Sequence, residues 1–95
     1  MSGDKMGDMV LEVMGSKGMI RVLLVMSESG ELNISGVSRR TGLNHYTVQR
    51  HLEKLMRLGL VQEKRYGKIR IFEVCFRVIR VVFERGRPVT FKVQD

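Results

Sequence analysis

Histidine and cysteine are the residues of this chain best suited to metal binding or nucleophilic attack, and their spacing favours neither. His45 and His51 stand six residues apart, which is about 240° around a helix, so they cannot share a metal on one face. Cys75 is the only cysteine, and no histidine lies near it in sequence. A structural zinc site takes about four such ligands, more than the chain has. Phosphate-loop, nucleophile-elbow and dinucleotide-binding motifs are also missing. We therefore expect no metal, no cofactor and no enzymatic activity.

Basic side chains offer a different chemistry, the binding of polyanions. The 95 residues include 17 Lys and Arg against 10 Asp and Glu, a net charge of +7. Residues 39–87 hold thirteen of the bases and four of the acids, a net of +9, whereas residues 1–38 have a net of −2. Such a localised charge attracts nucleic acid or an anionic membrane. The alternative is a basic surface that is merely solvated. The secondary-structure elements that carry the charges distinguish the two interpretations.

Length and composition indicate one folded domain over residues 1–95. The chain is 43% hydrophobic and 28% charged, which is too apolar for disorder. A domain this small buries only about 60–65% of its unfolded surface, so a partner subunit would help. No apolar run approaches the roughly 18 residues of a membrane span, and the acidic N-terminus argues against a signal peptide. The single cysteine excludes an intramolecular disulfide, so we expect a reducing cytoplasm.

Apolar residues at helical spacing predict two helices before residue 30. The first has one apolar face that consists of Met6, Met9, Val10, Val13 and Met14. Gly15 can end this helix, and Ser16 can cap a second one from about Lys17 to Ser27. The apolar face predicted for the second helix consists of Ile20, Leu23, Leu24 and Val25.

Two more helices are predicted around a tight glycine turn. Asn33 is a good N-cap for a short helix from Ile34 to Arg40, and Asn44 for a longer helix that ends before Gly59. Gly42 can adopt the positive φ that closes one helix and leads into the next. The core-facing positions of the longer helix are Val48, Leu52 and Leu55. Two helices joined in this way form a helix-turn-helix.

The segment after residue 59 changes to strand character. Leu60 to Lys64 is predicted to be a strand, residues 65–68 a turn with basic residues on both sides, and Ile69 to Val74 the return strand. Apolar spacing then predicts a C-terminal helix, which Gly86 and Pro88 would end, from the set Phe72, Phe76, Ile79 and Phe83. Residues 69–74 could also belong to that helix. Alternation at residues 89–93 suggests a short final strand.

This order of elements, together with the residues from Leu32 to Val61, resembles the winged helix-turn-helix domain of small bacterial and archaeal transcriptional regulators. The stretch from residue 41 fits the pattern TGL(N/S)xxTVxRHLxxLxxxGLV, and the nearest similarity is to ArsR- and MarR-type repressors and short archaeal dimeric regulators. Two positions depart from the family, which usually has Ala at Ser38 and an acidic residue at Gly36. A helical glycine costs about 0.5–1 kcal/mol, but neither departure lies in the recognition helix.

The resemblance implies an α+β, mainly helical fold, a winged helix-turn-helix with flanking N- and C-terminal helices. Its core spans residues 16–74, and residues 1–15 and 75–95 serve as dimerisation elements. The interface candidates are Met6, Met9, Val10, Val13, Phe72, Phe76, Ile79 and Phe83. Ordinary core packing is the alternative for these side chains.

The resemblance also implies that a recognition helix over about residues 44–58 enters the DNA major groove, and that a basic wing over about 60–74 lies on the backbone or in the minor groove. The candidates for reading bases are His45, Tyr46, Thr47, Gln49 and Arg50. The candidates for phosphate contact are Arg39, Arg40, Lys54, Arg65, Tyr66, Lys68 and Arg70. Arg50 could bond a guanine and Gln49 an adenine. Glu53 could pair with Arg57 or repel phosphate.

The predicted function is therefore sequence-specific binding of double-stranded DNA by a homodimeric transcriptional regulator. The high arginine content would also suit a nonspecific architectural DNA-binding protein. A winged-helix protein-interaction module is a third hypothesis, but it would need an apolar recognition helix. Membrane binding is not expected, because the polar stripe over residues 73–84 has two Arg and two Glu.

Overall fold

Four helices are followed by two β-hairpins in this computed structural model, which describes residues 4–95 and their side chains from residue 7 onward. The helices are α1 (Asp4–Met14), α2 (Lys17–Ser29), α3 (Ile34–Thr41) and α4 (His45–Arg57). The strands are β1 (Val61–Tyr66), β2 (Ile69–Val74), β3 (Val78–Val82) and β4 (Thr90–Gln94). β1 pairs with β2 and β3 with β4, both antiparallel. The predicted α+β winged helix-turn-helix is confirmed. None of the described helices is long and apolar enough to cross a membrane.

Side-chain caps begin three of the helices where the sequence predicts them. Ser16, Asn33 and Asn44 each accept a hydrogen bond from the backbone N–H three residues on, at 3.2, 2.7 and 2.8 Å. Each cap satisfies a donor that the first turn of a helix leaves free. Gly42 adopts φ 77° and donates its N–H to the Ser38 carbonyl at 2.9 Å. The predicted turn between α3 and α4 is thereby confirmed.

The core is built on α4 and α2. Val48, Leu52 and Leu55 are fully buried, as predicted for α4. For α2 the predicted face is wrong, since the buried residues are Met19, Val22 and Met26, while Ile20, Leu23 and Val25 are half-buried and Leu24 is exposed. This helix is apolar nearly all round, so spacing alone does not choose its buried face. The packing of α1, α3, α4 and β2 against it makes that choice.

The wing, residues 61–74, is a hairpin whose first strand runs two residues further than predicted, to Tyr66. Gly67, at φ 64°, and Lys68 form its tip. At its base, Leu32 and Phe72 exchange two backbone hydrogen bonds, N–H to carbonyl, at 3.0 and 2.8 Å. The loop between α2 and α3 is thus attached to β2, and the wing has a fixed base on the helical body.

The predicted C-terminal helix is wrong, because residues 78–82 form β3. The final strand suggested at residues 89–93 is present as β4, with Val81 opposite Phe91. Four of the five residues in β3 are Val or Ile, and β-branched side chains favour strands. Phe91 joins Val10 and Val13 in the core. The chain therefore has a helix as its N-terminal flank and a hairpin as its C-terminal flank.

Candidate nucleic-acid interface

The buried face of α4 determines which of its side chains reach solvent. With Val48, Leu52 and Leu55 inside, Tyr46 is 70% exposed, and His45, Arg50 and Arg57 are exposed as well. Thr47 and Gln49 are half-buried on the flanks. The Arg50 guanidinium lies 5.8 Å from the centroid of the Tyr46 ring, within the range of about 6 Å for a cation–π contact. The contact places the guanidinium beside the ring on the exposed face.

A polar groove of about 520 Å³ runs along α4, between this helix and the corner of α1 and α2. Its lining brings together Tyr46, Thr47 and Arg50 with the phosphate candidate Lys54. Two carboxylates, Glu12 and Glu53, also line it. Glu12 stands on α1, so its position beside α4 could not be predicted from the local sequence. Among side chains from residue 7 onward, every ion pair within 4.0 Å involves the wing, and Glu53 forms none with Arg57.

His51 lies on the inner wall of this groove and packs against the start of α2. A Cβ on Gly18 would come within 2.8 Å of the His51 Nε2 atom, so the glycine provides the space for the imidazole. Burial lowers the pKa of His51, and the cations Lys54 and Arg50 lower that pKa further. The neutral imidazole is favoured there, as a packing group rather than an extra positive charge. Among the described residues, no three His, Cys, Asp or Glu side chains gather as a metal site.

Hydroxyl groups hold the turn that leads into α4. The Thr41 side chain is buried; its Oγ1 donates to the Val37 carbonyl at 2.7 Å and accepts from the Leu43 N–H at 3.2 Å. Ser38 Oγ donates to the Leu43 carbonyl at 2.5 Å. The serine that departs from the family pattern therefore has a structural role in this chain.

The close packing around Gly36 explains why this position of α3 has a glycine. A Cβ there would approach Leu32 Cδ2 to 3.1 Å and Asn33 Oδ1 to 3.2 Å. Both contacts are tighter than ordinary van der Waals contact, so a larger residue would press on the cap of α3 and on Leu32, which is bonded to the wing.

Two basic residues at the end of α3 are on the surface as predicted. Arg39 and Arg40 are exposed, and Arg40 Nη1 donates to Ser29 Oγ at 2.6 Å. Both stand in the last turn of α3, next to the turn into α4.

The wing cations differ in how strongly carboxylates hold them. Arg70 Nε is 2.7 Å from Glu63 Oε2, and its guanidinium stacks 5.3 Å from the centroid of Phe72. This guanidinium is already bonded on the inner face of the hairpin, so a phosphate would have to compete with Glu63 for it, and its role as a phosphate contact stays a prediction. Arg65 is exposed but lies 3.2 Å from the same carboxylate, while Tyr66 and Lys68 are exposed near the tip. The hydrogen bond from Arg70 is the main cause that lowers the pKa of Glu63.

An ion-pair network that the sequence reasoning missed attaches the wing to the body. Lys64 Nζ lies 3.1 Å from Glu31 Oε2 and 2.8 Å from Glu73 Oε1. The two carboxylates raise the pKa of Lys64, and Lys64 lowers the pKa of Glu73. Glu73 is in the adjacent strand and Glu31 is 33 positions from Lys64, so only the strand pairing and the tertiary fold bring them together. Of the four wing cations, Lys68 alone has no carboxylate within 4.0 Å among the described side chains.

The predicted dimer-interface residues separate into buried and accessible groups. Contrary to their prediction as interface residues, Val10, Val13 and Phe72 fill the chain's own core and have almost no surface for a partner. Met9, Phe76 and Ile79 are half-buried, and Phe83 is 76% exposed. The side chain of Met6 lies outside the described residues.

An apolar groove of about 380 Å³ provides a second candidate contact surface, away from α4. It is lined by Ile20, Leu23, Leu24, Ser27, Phe76, Arg77 and Ile79. The α2 side chains that were expected in the core form one wall of this groove. The start of the C-terminal hairpin forms the other wall.

Comparison with known proteins agrees with this architecture. A sequence model of the MarR family matches residues 20–66. No curated protein matches the chain in sequence. The structure is similar to that of NolR from Sinorhizobium fredii, with a TM-score of 0.66 and 18% identity over 76% of this chain and 71% of that one.

Two further solved structures show the same fold. One is the homodimeric winged helix-turn-helix DNA-binding domain of Mb0332 from Mycobacterium bovis, a possible ArsR-family regulator (TM-score 0.63, 21% identity, 74% of this chain and 64% of that one). The other is a MarR family transcriptional regulator from Silicibacter pomeroyi (TM-score 0.62, 16% identity, 78% of this chain and 51% of that one). These three proteins are bacterial, so they lend no support to the archaeal part of the resemblance.

Proposed function

Since the chain resembles winged helix-turn-helix transcriptional regulators of the MarR and ArsR types, we propose that it regulates transcription by binding specific sequences in double-stranded DNA. The observation that carries the proposal is the exposed side of α4. There a tyrosine and cations stand on the second helix of a helix-turn-helix, next to a basic hairpin. An interaction module would instead present an apolar recognition helix.

In this proposal, α4 enters the major groove and its N-terminal half reads base edges. Arg50 donates a bidentate pair of hydrogen bonds to guanine, and Gln49 pairs with adenine. The stacking of Arg50 on Tyr46 restricts the arginine before DNA arrives, which reduces the entropy that it loses on binding. His45 and Thr47 read the neighbouring positions.

Phosphate contacts position the protein on either side of α4. Arg39 and Arg40 approach the backbone from the end of α3, and Lys54 from the flank of α4. In the wing the contacts come from Arg65, Tyr66 and Lys68. Of the two cations, Arg65 is paired with Glu63, and Lys68 has no carboxylate within 4.0 Å among the described side chains. Such contacts fix the register of the protein without reading sequence. We assign no catalytic role to the chain.

The proposed regulator acts as a homodimer that closes over the apolar groove between α2 and the C-terminal hairpin. Leu24 is 52% exposed on one wall, and exposed apolar surface of this kind marks contact sites. A two-fold interface would present two copies of α4 about 34 Å apart, which is one turn of DNA.

Fluorescence anisotropy of the purified protein tests the function. We would compare the duplex upstream of its own gene with a shuffled duplex, over about 50 to 200 mM salt. We expect the native duplex to be preferred at the higher salt. Arg50→Ala should remove about 1–3 kcal/mol of that preference.

Lys68→Ala is the matched control for Arg50→Ala, since it also removes one exposed cation. It should weaken binding to both duplexes alike and reduce the slope of log affinity against log salt concentration by about 0.9. Equal binding of both duplexes by the wild type, fading steeply with salt, would indicate the architectural alternative. Absence of binding at the lowest salt would contradict DNA binding and favour the protein-interaction module.

A further inference from the structure

The tip of the β3–β4 hairpin is an exposed turn with two arginines. The Arg87 N–H donates to the Glu84 carbonyl at 3.2 Å, and Gly86 has φ 75° at the third position of the turn. A type II turn requires this positive φ, which glycine adopts without strain. All residues from 83 to 88 are exposed. The fold therefore presents Arg85 and Arg87 on either side of a glycine, clear of the body.

The outer face of the same hairpin carries two more cations directly opposite each other. Arg80 and Lys92 are cross-strand partners, and both are exposed. Like charges in this arrangement destabilise a hairpin. Arg80 Nη1 donates to the neutral Gln94 side chain, and the described ion pairs involve none of the hairpin's cations. Glu84 is the one acidic side chain at the tip. A polyanion lying along this face would relieve the repulsion.

We propose that the β3–β4 hairpin is a second DNA-binding element, whose tip places Arg85 and Arg87 in the minor groove of A·T-rich sequence. The minor groove of A·T tracts is narrow and strongly negative, which attracts arginine. Gly86 has no Cβ, so the backbone between the arginines can approach the groove closely. Arginine suits this position better than lysine because its guanidinium is more weakly hydrated and loses less on entering a narrow groove.

Arg80 and Lys92 then lie along the phosphates. At about 3.3 Å per residue, the five residue steps from Arg80 to Arg85 extend at most roughly 17 Å, or half a turn of DNA. The hairpin therefore provides both a groove contact and a backbone contact. This inference rests on the proposed binding of DNA, but it assigns that binding to an element separate from α4 and the wing.

Three duplexes of equal length and phosphate number test the proposal by anisotropy with the full chain: one A·T-rich, one G·C-rich and one with inosine·cytosine pairs in place of G·C. Inosine lacks the guanine amino group that projects into the minor groove but keeps the major-groove acceptors of guanine. We expect the A·T and inosine duplexes to bind about tenfold more tightly than the G·C duplex, a difference typical of one good base contact.

The double variant Arg85→Ala/Arg87→Ala should bind all three duplexes alike. Arg85→Lys/Arg87→Lys, which keeps the charge, should also lose most of the preference. Lys17→Ala/Arg21→Ala removes two exposed charges from α2 and should retain it. Arg80→Ala/Lys92→Ala should keep the preference and flatten the salt slope by about 1.8, the effect of two phosphate contacts.

Inosine pairs that bind like G·C pairs, or a preference that survives in Arg85→Ala/Arg87→Ala, would overturn the proposal and leave the proposed function intact. Failure of the wild type to bind any duplex would overturn both. Conversion of Arg85→Ala/Arg87→Ala to a monomer in sedimentation would show that the tip contacts a second copy, which also overturns it.

Discussion

At the scale of single residues, Thr41 holds the turn that leads into α4. Its hydroxyl bonds the last turn of α3 to the first residues of the connection that leads to α4. Inside a protein, a backbone donor or acceptor that loses such a partner cannot readily exchange it for water. One hydroxyl therefore helps to set the angle between two helices, and with it the direction in which Arg50 points.

Thr41→Val keeps the shape of this side chain and removes its hydroxyl. We expect the free energy of unfolding to fall by about 1–3 kcal/mol, because the Leu43 N–H loses its acceptor and the Val37 carbonyl one of its donors. Urea denaturation followed by circular dichroism measures the change. The control is Ser35→Ala, which removes an exposed hydroxyl from the same helix, α3. That change should stay within about 0.5 kcal/mol, and an equal loss in both variants would contradict the role of Thr41.

At the scale of elements, the prediction from sequence succeeded where the signal is local. The caps at Ser16, Asn33 and Asn44, the positive φ at Gly42 and the buried face of α4 each depend on residues within a few positions of one another. The same locality explains why the outward direction of Tyr46 and Arg50 could be predicted. A helix with one strongly apolar stripe leaves little choice of orientation.

Prediction failed where two distant segments decide the outcome. The set Phe72, Phe76, Ile79 and Phe83 fits a helix, yet residues 78–82 form a strand because residues 90–94 pair with them. The ion pair of Arg70 with Glu63, seven residues away, depends instead on the strand register, which places both on the inner face of the wing. Helical spacing of apolar residues predicts neither result, although the run of Val and Ile in β3 is a local indication of a strand.

Phe91→Ala tests whether the C-terminal hairpin belongs to the core. Phe91 is 4% exposed and shares the core with Val10 and Val13 of α1. We expect a loss of about 3–5 kcal/mol in the free energy of unfolding, since a large buried side chain is replaced by a cavity. That is a large part of the roughly 5–15 kcal/mol that stabilise a small protein.

Val93→Ala provides the comparison within the same strand, because Val93 is 42% exposed. Its cost should be below about 1 kcal/mol, since little apolar surface leaves the interior. Chemical denaturation of both variants gives the two values. Similar small losses would mean that β4 does not pack on α1 as described.

At the scale of the whole molecule, the cationic surfaces and the apolar groove are largely separate. Exposed cations stand on α2, α3, α4 and the two hairpins, and the apolar groove between α2 and the beginning of β3 has one of them, Arg77, in its lining. A chain that binds DNA through its cationic surfaces and a second copy through the apolar groove needs this separation. The cationic faces attract phosphate, and the groove excludes water when the second copy covers it.

Leu24→Glu tests the proposed dimer at that groove. Because Leu24 is half-exposed in the single chain, the charge should cost the fold little, but a two-fold interface would bury it twice without a partner. We expect the dimer dissociation constant to rise at least about a hundredfold, equivalent to roughly 2.7 kcal/mol, in sedimentation velocity over a concentration series. The matched control is Ile69→Glu, which places the same charge at a 56% exposed site on the wing and should leave the dimer intact. Equal dissociation of both variants, or a wild type that is monomeric throughout, would contradict this interface. A monomeric wild type would also remove the reason for two half-sites one helical turn apart, since only a dimer holds two recognition helices at that spacing.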